Sequence, residues 1–331
     1  MTRAPFTIGV VAGEASGDLL GAHLIKALRG RLPQARFTGI GGPRMQAAGM
    51  EVLVPMEKLA VRGYVEVLRH YLEILGIRRR LAAHFLEHPP ALFVGVDAPD
   101  FNLDLEVKLK SAGIPTAHFV SPSIWAWRGN RIGKIRRAVS RMLVLFPFEA
   151  PLLERGGVPA TYTGHPLAEM LAEVPGRAAM REQLRLPAAA KVIALLPGSR
   201  VSEIAQMADL FLETAAQIAA GAPDVQFLVP LVSRPTRELF EAALYRRQGG
   251  ALNLTVLFGH AHDAMAAADV VLAASGTATL EAALLGRPVV IAYRMPRLSW
   301  WMMRNRGYLP YVGLPNILAG EFIVPEFLQD E

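Results

Sequence analysis

Apolar runs of strand length recur along the chain with amphipathic stretches between them. In the first half they are FTIGVVA (6–12), FTGIGG (37–42), ALFVGV (91–96), PTAHFVS (115–121) and RMLVLF (141–146). In the second they are KVIALLPG (191–198), VQFLVPLV (225–232), LTVLFG (254–259), DVVLAA (269–274) and PVVIAY (288–293). Runs that are continuously apolar, rather than alternating, belong to parallel strands covered on both faces, and the helical stretches between them supply the cover. The pattern predicts an α/β fold, doubly wound. The series is interrupted once, by the Pro-, Gly- and Ala-rich stretch YTGHPLAEMLAEVPGRAAM (162–180), and then restarts. Two doubly wound domains are therefore expected, 1–170 and 171–331, facing a cleft at the carboxyl ends of their strands where such sheets bind ligands.

Composition narrows the picture. A chain of 331 residues can bury two separate cores, and although 52% of it is hydrophobic, charges interrupt every apolar run. None reaches the roughly 18 residues that span a bilayer. The opening MTRAPFTIGVVAGEAS reads as a first strand and not a signal peptide, because its apolar run is short and leads into a turn. With no cysteine there is no disulfide, thiolate metal site or Cys nucleophile. No His pair or carboxylate cluster stands at metal-ligand spacing, so neither metal nor cofactor is expected. The net charge of +6 points to an anionic partner, whether nucleic acid, a phosphorylated substrate or anionic lipid.

Several strand ends carry candidate chemistry. The first strand runs into Gly13, Glu14, Ala15, Ser16, Gly17 and Asp18, where Ser16 or Asp18 can cap a helix while the glycines admit close backbone approach. The spacing of Gly13, Gly17 and Gly21 does not fit the dinucleotide fingerprint, which disfavours a nicotinamide enzyme. In VGVDAPDFN (94–102) a strand delivers Asp97 to its carboxyl end; Asp100 can cap the next helix, which leaves Asp97 as the candidate general base. In the second half, Gly198, Ser199 and Arg200 precede a helix, a glycine turn with a guanidinium fork that suits a diphosphate. ASGTATLE (274–281) repeats the theme. Ser275, Gly276 and Thr277 can face phosphate while Glu281, one turn further in, accepts ribose hydroxyls, or else the same residues form a capping box.

Two stretches mix large apolar residues with arginine. In 61–80, Val65, Leu68, Tyr71, Leu72 and Leu75 precede Arg78, Arg79 and Arg80, the composition of a helix lying on an anionic membrane surface or of an ordinary packed helix. LSWWMMRNRGYLPYVGLPN (298–316) repeats the mixture with Trp300, Trp301, Arg304 and Arg306. Trp125 and Trp127 beside Arg128 and Arg131 suit stacking on bases, a sugar wall or local packing.

Taken together, VAGEASGDLLGAHL, GIGGPRMQAAGME, VDAPDFN, VSPSIWAWR, PFE, TGHPL, LLPGSRVSEI, SGTATLEAALLGRPVVIAYR and VGLPNIL make the chain resemble the lipid-A-disaccharide synthase family over essentially its whole length. The resemblance implies a GT-B arrangement of two Rossmann-like domains, the first for the acceptor and the second for the UDP-sugar. It implies transfer from UDP-2,3-diacylglucosamine to 2,3-diacylglucosamine 1-phosphate, giving the β-1,6-linked disaccharide 1-phosphate and UDP, with inversion and without metal or cofactor. Asp97 takes the role of base. Gly198, Ser199, Arg200, Ser275, Gly276, Thr277, Glu281 and Asn316 are expected around UDP, and Glu14, Ser16, Asp18 and Asn102 around the acceptor. Partners would be the acylated glucosamine lipids, the membrane surface and a second copy in a homodimer, with no nucleic acid, at the cytoplasmic face of the inner membrane. Family members continue through further helices beyond EFIVPEFLQDE, which this chain is expected to lack. A GT-B UDP-sugar epimerase would need no lipid patch, and a non-catalytic nucleotide-binding membrane protein would have no use for Asp97.

Overall fold

The computed structural model describes residues 5–59, 67–122, 131–247, 252–297, 300–301 and 310–329, with side chains from 72 onward in the helix that begins at Val67. The chain divides into two compact units, Met1–Pro166 and Leu167–Glu331. The division falls inside the Pro-, Gly- and Ala-rich stretch.

The first unit runs β1 (Phe6–Ala12), α1 (Ala15–Arg31), β2 (Ala35–Gly41), α2 (Pro43–Ala47), β3 (Met50–Pro55), α3 (Val67–Glu87), β4 (Leu92–Val96) and α4 (Pro99–Ser111). It continues through β5 (Thr116–Phe119), α5 (Ile132–Ala138), β6 (Arg141–Val144), α6 (Glu149–Arg155) and β7 (Ala160–Tyr162). Its seven-stranded sheet has the order β3-β2-β1-β4-β5-β6-β7, parallel throughout. Alternate residues of β1 enter different cores, as the period of two requires. Ile8, Val10 and Ala12 join Leu20 and Ile25 of α1; Val11 joins Ile77, Leu81 and Phe85 of α3. Gly9 keeps this second layer close, because a Cβ there would stand 2.9 Å from the Phe85 ring.

Helix α7 (Pro166–Ala172) starts on the last residue of the first unit, and the second unit continues with α8 (Arg177–Gln183), β8 (Val192–Leu196), α9 (Val201–Gly221), β9 (Gln226–Leu231), α10 (Arg234–Arg246) and β10 (Leu254–Phe258). It ends with α11 (Ala261–Ala267), β11 (Val270–Ala273), α12 (Thr277–Leu284), β12 (Val289–Tyr293), a short helix (Leu314–Ala319) and β13 (Glu326–Leu328). The order is β10-β9-β8-β11-β12-β13. Again β8 alternates, with Val192, Ala194 and Leu196 in one core and Leu195 in the other.

Three strands go beyond the apolar runs: β3, β7 and β13. All three lie at sheet edges. An edge strand is not sandwiched, so it need not be continuously apolar; β3 alternates between inward and outward residues, and β7 and β13 are three residues long.

Candidate active site

In the first sheet the strand order reverses between β1 and β4, so the connections that leave these neighbours diverge and open a crevice at their carboxyl ends. Both candidate loops lie there. Gly13 follows β1, and a Cβ on it would stand 3.0 Å from the Ala98 side chain, so the loop rests against the β4–α4 elbow. Glu14 and Ser16 are exposed on this loop. Neither Ser16 nor Asp18 caps α1, whose N-terminus at Glu14 has no side-chain cap.

The elbow is strained. Asp97 and Ala98 are both left-handed, at φ 51° and 44°, and Val120, just past β5 on the neighbouring strand, has φ 79°. Each such residue costs on the order of 1–2 kcal/mol when it has a side chain, and such strain collects where a function requires the geometry. The Asp97 amide donates to the Phe119 carbonyl at 2.8 Å, and its own carbonyl accepts from Asn102 at 2.8 Å. Its carboxylate is half-buried, and among the described residues no donor engages it, which leaves it open as a proton acceptor. Asp100, expected to cap α4, lies in its first turn instead, its carboxylate largely exposed and paired with Arg131 at 2.8 Å.

Two residues expected at the acceptor serve the framework. Asp18 is 2% exposed. One carboxylate oxygen accepts from the Gly42 and Met45 amides, at 2.9 and 3.0 Å, and the other from the Arg44 amide at 3.1 Å. These are orphan donors at the entrance of α2, so the carboxylate caps a helix distant in sequence. Asn102 is fully buried and its amide serves the carbonyls of Val11, Val96 and Asp97. Both side chains are buried.

The second sheet reverses between β8 and β11. After β8, Gly198 at φ 134° makes the turn into α9. The Ser199 and Arg200 amides, expected to meet a diphosphate, donate to the Glu203 carboxylate at 2.8 and 3.1 Å. Arg200 reaches back to the same carboxylate at 3.0 Å while remaining largely exposed. The turn is thus already occupied by an anionic group of the protein. Burial, with the Glu203 charge, pushes the Tyr293 hydroxyl above its usual range, against the opposing effect of Arg200, so it is a protonated donor at neutral pH.

After β11, Gly276 at φ 150° leads into α12, whose first turn has no side-chain cap, although the Thr279 amide donates to the Gly276 carbonyl at 3.3 Å. Thr277 and Gly276 are exposed and Ser275 is half-buried. Glu281 is no capping-box partner: its carboxylate lies 3.2 Å from His262 Nε2 on α11, with 16% of the side chain exposed. Asn316, expected near UDP, is fully buried. Its amide donates to the Val324 carbonyl and the Glu326 carboxylate, while its oxygen accepts from the Ile323 and Val324 amides, so it clips the last loop together.

On α3 the core-facing residues are Ile77, Leu81, Ala82 and Phe85. Leu72 is 62% exposed, Leu75 is half-buried, and Arg79 and Arg80 are exposed. Arg78 departs from the expected membrane face: it pairs with Asp104 of α4 at 2.7 Å and lies over the Phe101 ring. Val65, Trp125, Trp127, Arg304, Arg306 and the side chains of Leu68 and Tyr71 lie outside the described residues. Among the described residues no cluster could hold a metal, and no helix is long and apolar enough to cross a membrane.

Glu203, His262 and Tyr293 adjoin the candidate residues without having been expected among them. Glu203 had a usable signal, an acidic residue three positions into a helix. The other two become neighbours of the site only through packing between elements.

Two doubly wound parallel sheets, each with its candidate residues at the switch point, place the chain in the GT-B class. Solved structures of the same architecture include a UDP-GlcNAc 2-epimerase from Neisseria meningitidis bound to UDP-GlcNAc (TM-score 0.63, 12% identity, covering 98% of this chain and 88% of that one). MurG of Acinetobacter baumannii is another (TM-score 0.53, 14% identity, 98% and 86% covered). Residues 8–331 match the lipid-A-disaccharide synthetase family, and the chain belongs to that family. The lipid-A-disaccharide synthase of Methylobacillus flagellatus is 59% identical over 325 residues, 98% of this chain and 86% of the relative. That of an Azoarcus species is 59% identical over 324, 98% and 83%.

Proposed function

We propose that this chain is an inverting glycosyltransferase that joins UDP-2,3-diacylglucosamine to 2,3-diacylglucosamine 1-phosphate, with Asp97 as the base. Family membership supports the disaccharide-forming reaction, and the observation that carries the residue assignment is the unengaged Asp97 carboxylate on a strained elbow at a sheet switch point. In the step proposed, the Asp97 carboxylate takes the proton of the acceptor 6-hydroxyl as its oxygen bonds to the donor's anomeric carbon. The bond from that carbon to the β-phosphate oxygen breaks, its electron pair stays on the phosphate, and UDP leaves. Glu14 and Ser16, exposed beside the elbow, would meet the acceptor. The uncapped entrance of α12, with Ser275 and Thr277, would take the diphosphate together with Arg200, and Glu281 would take the ribose.

Asp97→Asn keeps the shape and removes the proton acceptor, so turnover should fall by about 10²–10⁴ while UDP affinity stays the same. Undiminished turnover in the folded variant would move the base elsewhere. Likeness to an epimerase at 12% identity carries the fold alone. Incubating the protein with donor only, then with donor and acceptor, separates the reactions: a transferase needs both lipids to release UDP.

The exposed Leu72 beside Arg79 and Arg80 supports docking on an anionic membrane surface, where such lipid substrates reside.

A further inference from the structure

Beneath the Asp97 elbow lies a polar column that the reaction scheme does not use. Asn102 and Glu106, one turn apart on α4, and His118 on β5 are each 0% exposed. Glu106 Oε1 and His118 Nδ1 are 2.7 Å apart. Room for this pair comes from Gly95 on β4, where a Cβ would stand 2.2 Å from Glu106 Oε1 and 2.9 Å from Asn102 Cβ. Among the described residues, Asn102 Oδ1, Glu106 Oε2 and His118 Nε2 have no hydrogen-bond partner.

Such a column is a poor way to stabilise a sheet. Unpaired buried polar atoms are costly, and apolar side chains of similar size often serve as well or better. Its position suggests another use. Both backbone polar groups of Asp97 are held from this region, the carbonyl by Asn102 Nδ2 and the amide by the carbonyl of Phe119, the residue after His118. The same Asn102 amide also grips the ends of β1 and β4 through Val11 and Val96. A left-handed pair of non-glycine residues persists only where its surroundings over-determine it.

We infer that Asn102, Glu106 and His118 are positioning residues that hold the Asp97 elbow and thereby aim its carboxylate. The inference rests on Asp97 being the base. Asn102 supplies the direct grip, while the Glu106–His118 pair fixes α4 against β5 so that the grip and the Phe119 carbonyl keep their separation.

The test is the apolar pair Glu106→Met with His118→Leu, measured by steady-state kinetics, UDP calorimetry and thermal melting. The column predicts that kcat falls by about ten- to a hundredfold, the scale of a misaimed catalytic group. KM for both lipids and the UDP Kd should stay within about twofold, and the melting temperature should hold or rise. In an Asp97→Asn background the pair should cause no further loss, because there is no base left to aim. Unchanged kcat, a loss expressed in KM, or the same fold loss on top of Asp97→Asn each overturns the inference. If the pair does not fold, single variants decide. His118→Asn keeps a hydrogen-bonding amide at the Nδ1 position and should retain kcat, while His118→Leu should lose it; equal rates in the two refute the column. Turnover retained in Asp97→Asn alone sinks the base assignment, a result read separately from these.

Discussion

Replacing Asp18 should damage the fold of the first unit and leave substrate recognition intact. Its carboxylate accepts three backbone amides, two on one oxygen and one on the other, in a site 2% exposed. A hydrogen bond to a charged group contributes about 1.5–3 kcal/mol, and orphaning a buried donor costs about 1–3 kcal/mol. These amounts are not additive, so Asp18→Ala should cost about 3–5 kcal/mol, a large part of a domain's roughly 5–15 kcal/mol. Asp18→Asn can keep its oxygen toward Gly42 and Met45 but turns an NH₂ toward the Arg44 amide, so about 1–3 kcal/mol is expected. Urea unfolding followed by circular dichroism gives the two values, and steady-state kinetics on the folded variants gives acceptor KM. The graded loss, with KM unchanged, is the expected result. Wild-type stability in both variants, or an Asp18→Asn protein of full stability whose acceptor KM rises tenfold, would show that the carboxylate serves the substrate.

Glu281→Ala should weaken UDP binding by about ten- to a hundredfold in calorimetry, the equivalent of about 1.5–3 kcal/mol; unchanged affinity in a folded variant refutes the ribose role. Leu72→Ser with Leu75→Ser should release the protein from anionic liposomes at high salt without altering UDP affinity, and continued cosedimentation would refute docking through α3. Asp269 bears on acid stability. Burial alone would raise its carboxyl, but the Val192 amide and the Arg181 and Arg177 guanidiniums hold it below the usual value. A depressed carboxyl contributes stability that is complete above its unfolded value, about 3.9, and is lost as pH falls through the folded value. Asp269→Asn should therefore lower the urea midpoint at neutral pH and flatten its decline below about pH 4; parallel wild-type and variant curves would refute the assignment.

The strands sandwiched between helices could be read directly, because burial on both faces writes itself as an unbroken apolar run. Of the edge strands, β10 still shows as the apolar run LTVLF, whereas β3 alternates and β7 and β13 are too short to stand out. Asp97 stands out in the sequence as a candidate because a buried strand ending in an acid has few structural reasons to do so. Asp18, Asn102 and Asn316 are tied into the framework, and the sequence gives no separate sign of it. A polar residue in a glycine- or proline-rich turn looks the same in sequence whether it faces a ligand or completes the hydrogen bonds of a distant backbone. The proximity of His262 to Glu281, across α11 and α12, has no trace in spacing at all.

The Glu203 carboxylate seated on the Ser199 and Arg200 amides is tethered within one helical turn of the site it fills. Its effective concentration there is on the millimolar scale or above, whatever the solution contains. Any anion that binds this turn must evict a resident carboxylate, and on leaving it is replaced at once by the same group. Such a seat would hold an anion less tightly than bare amides would.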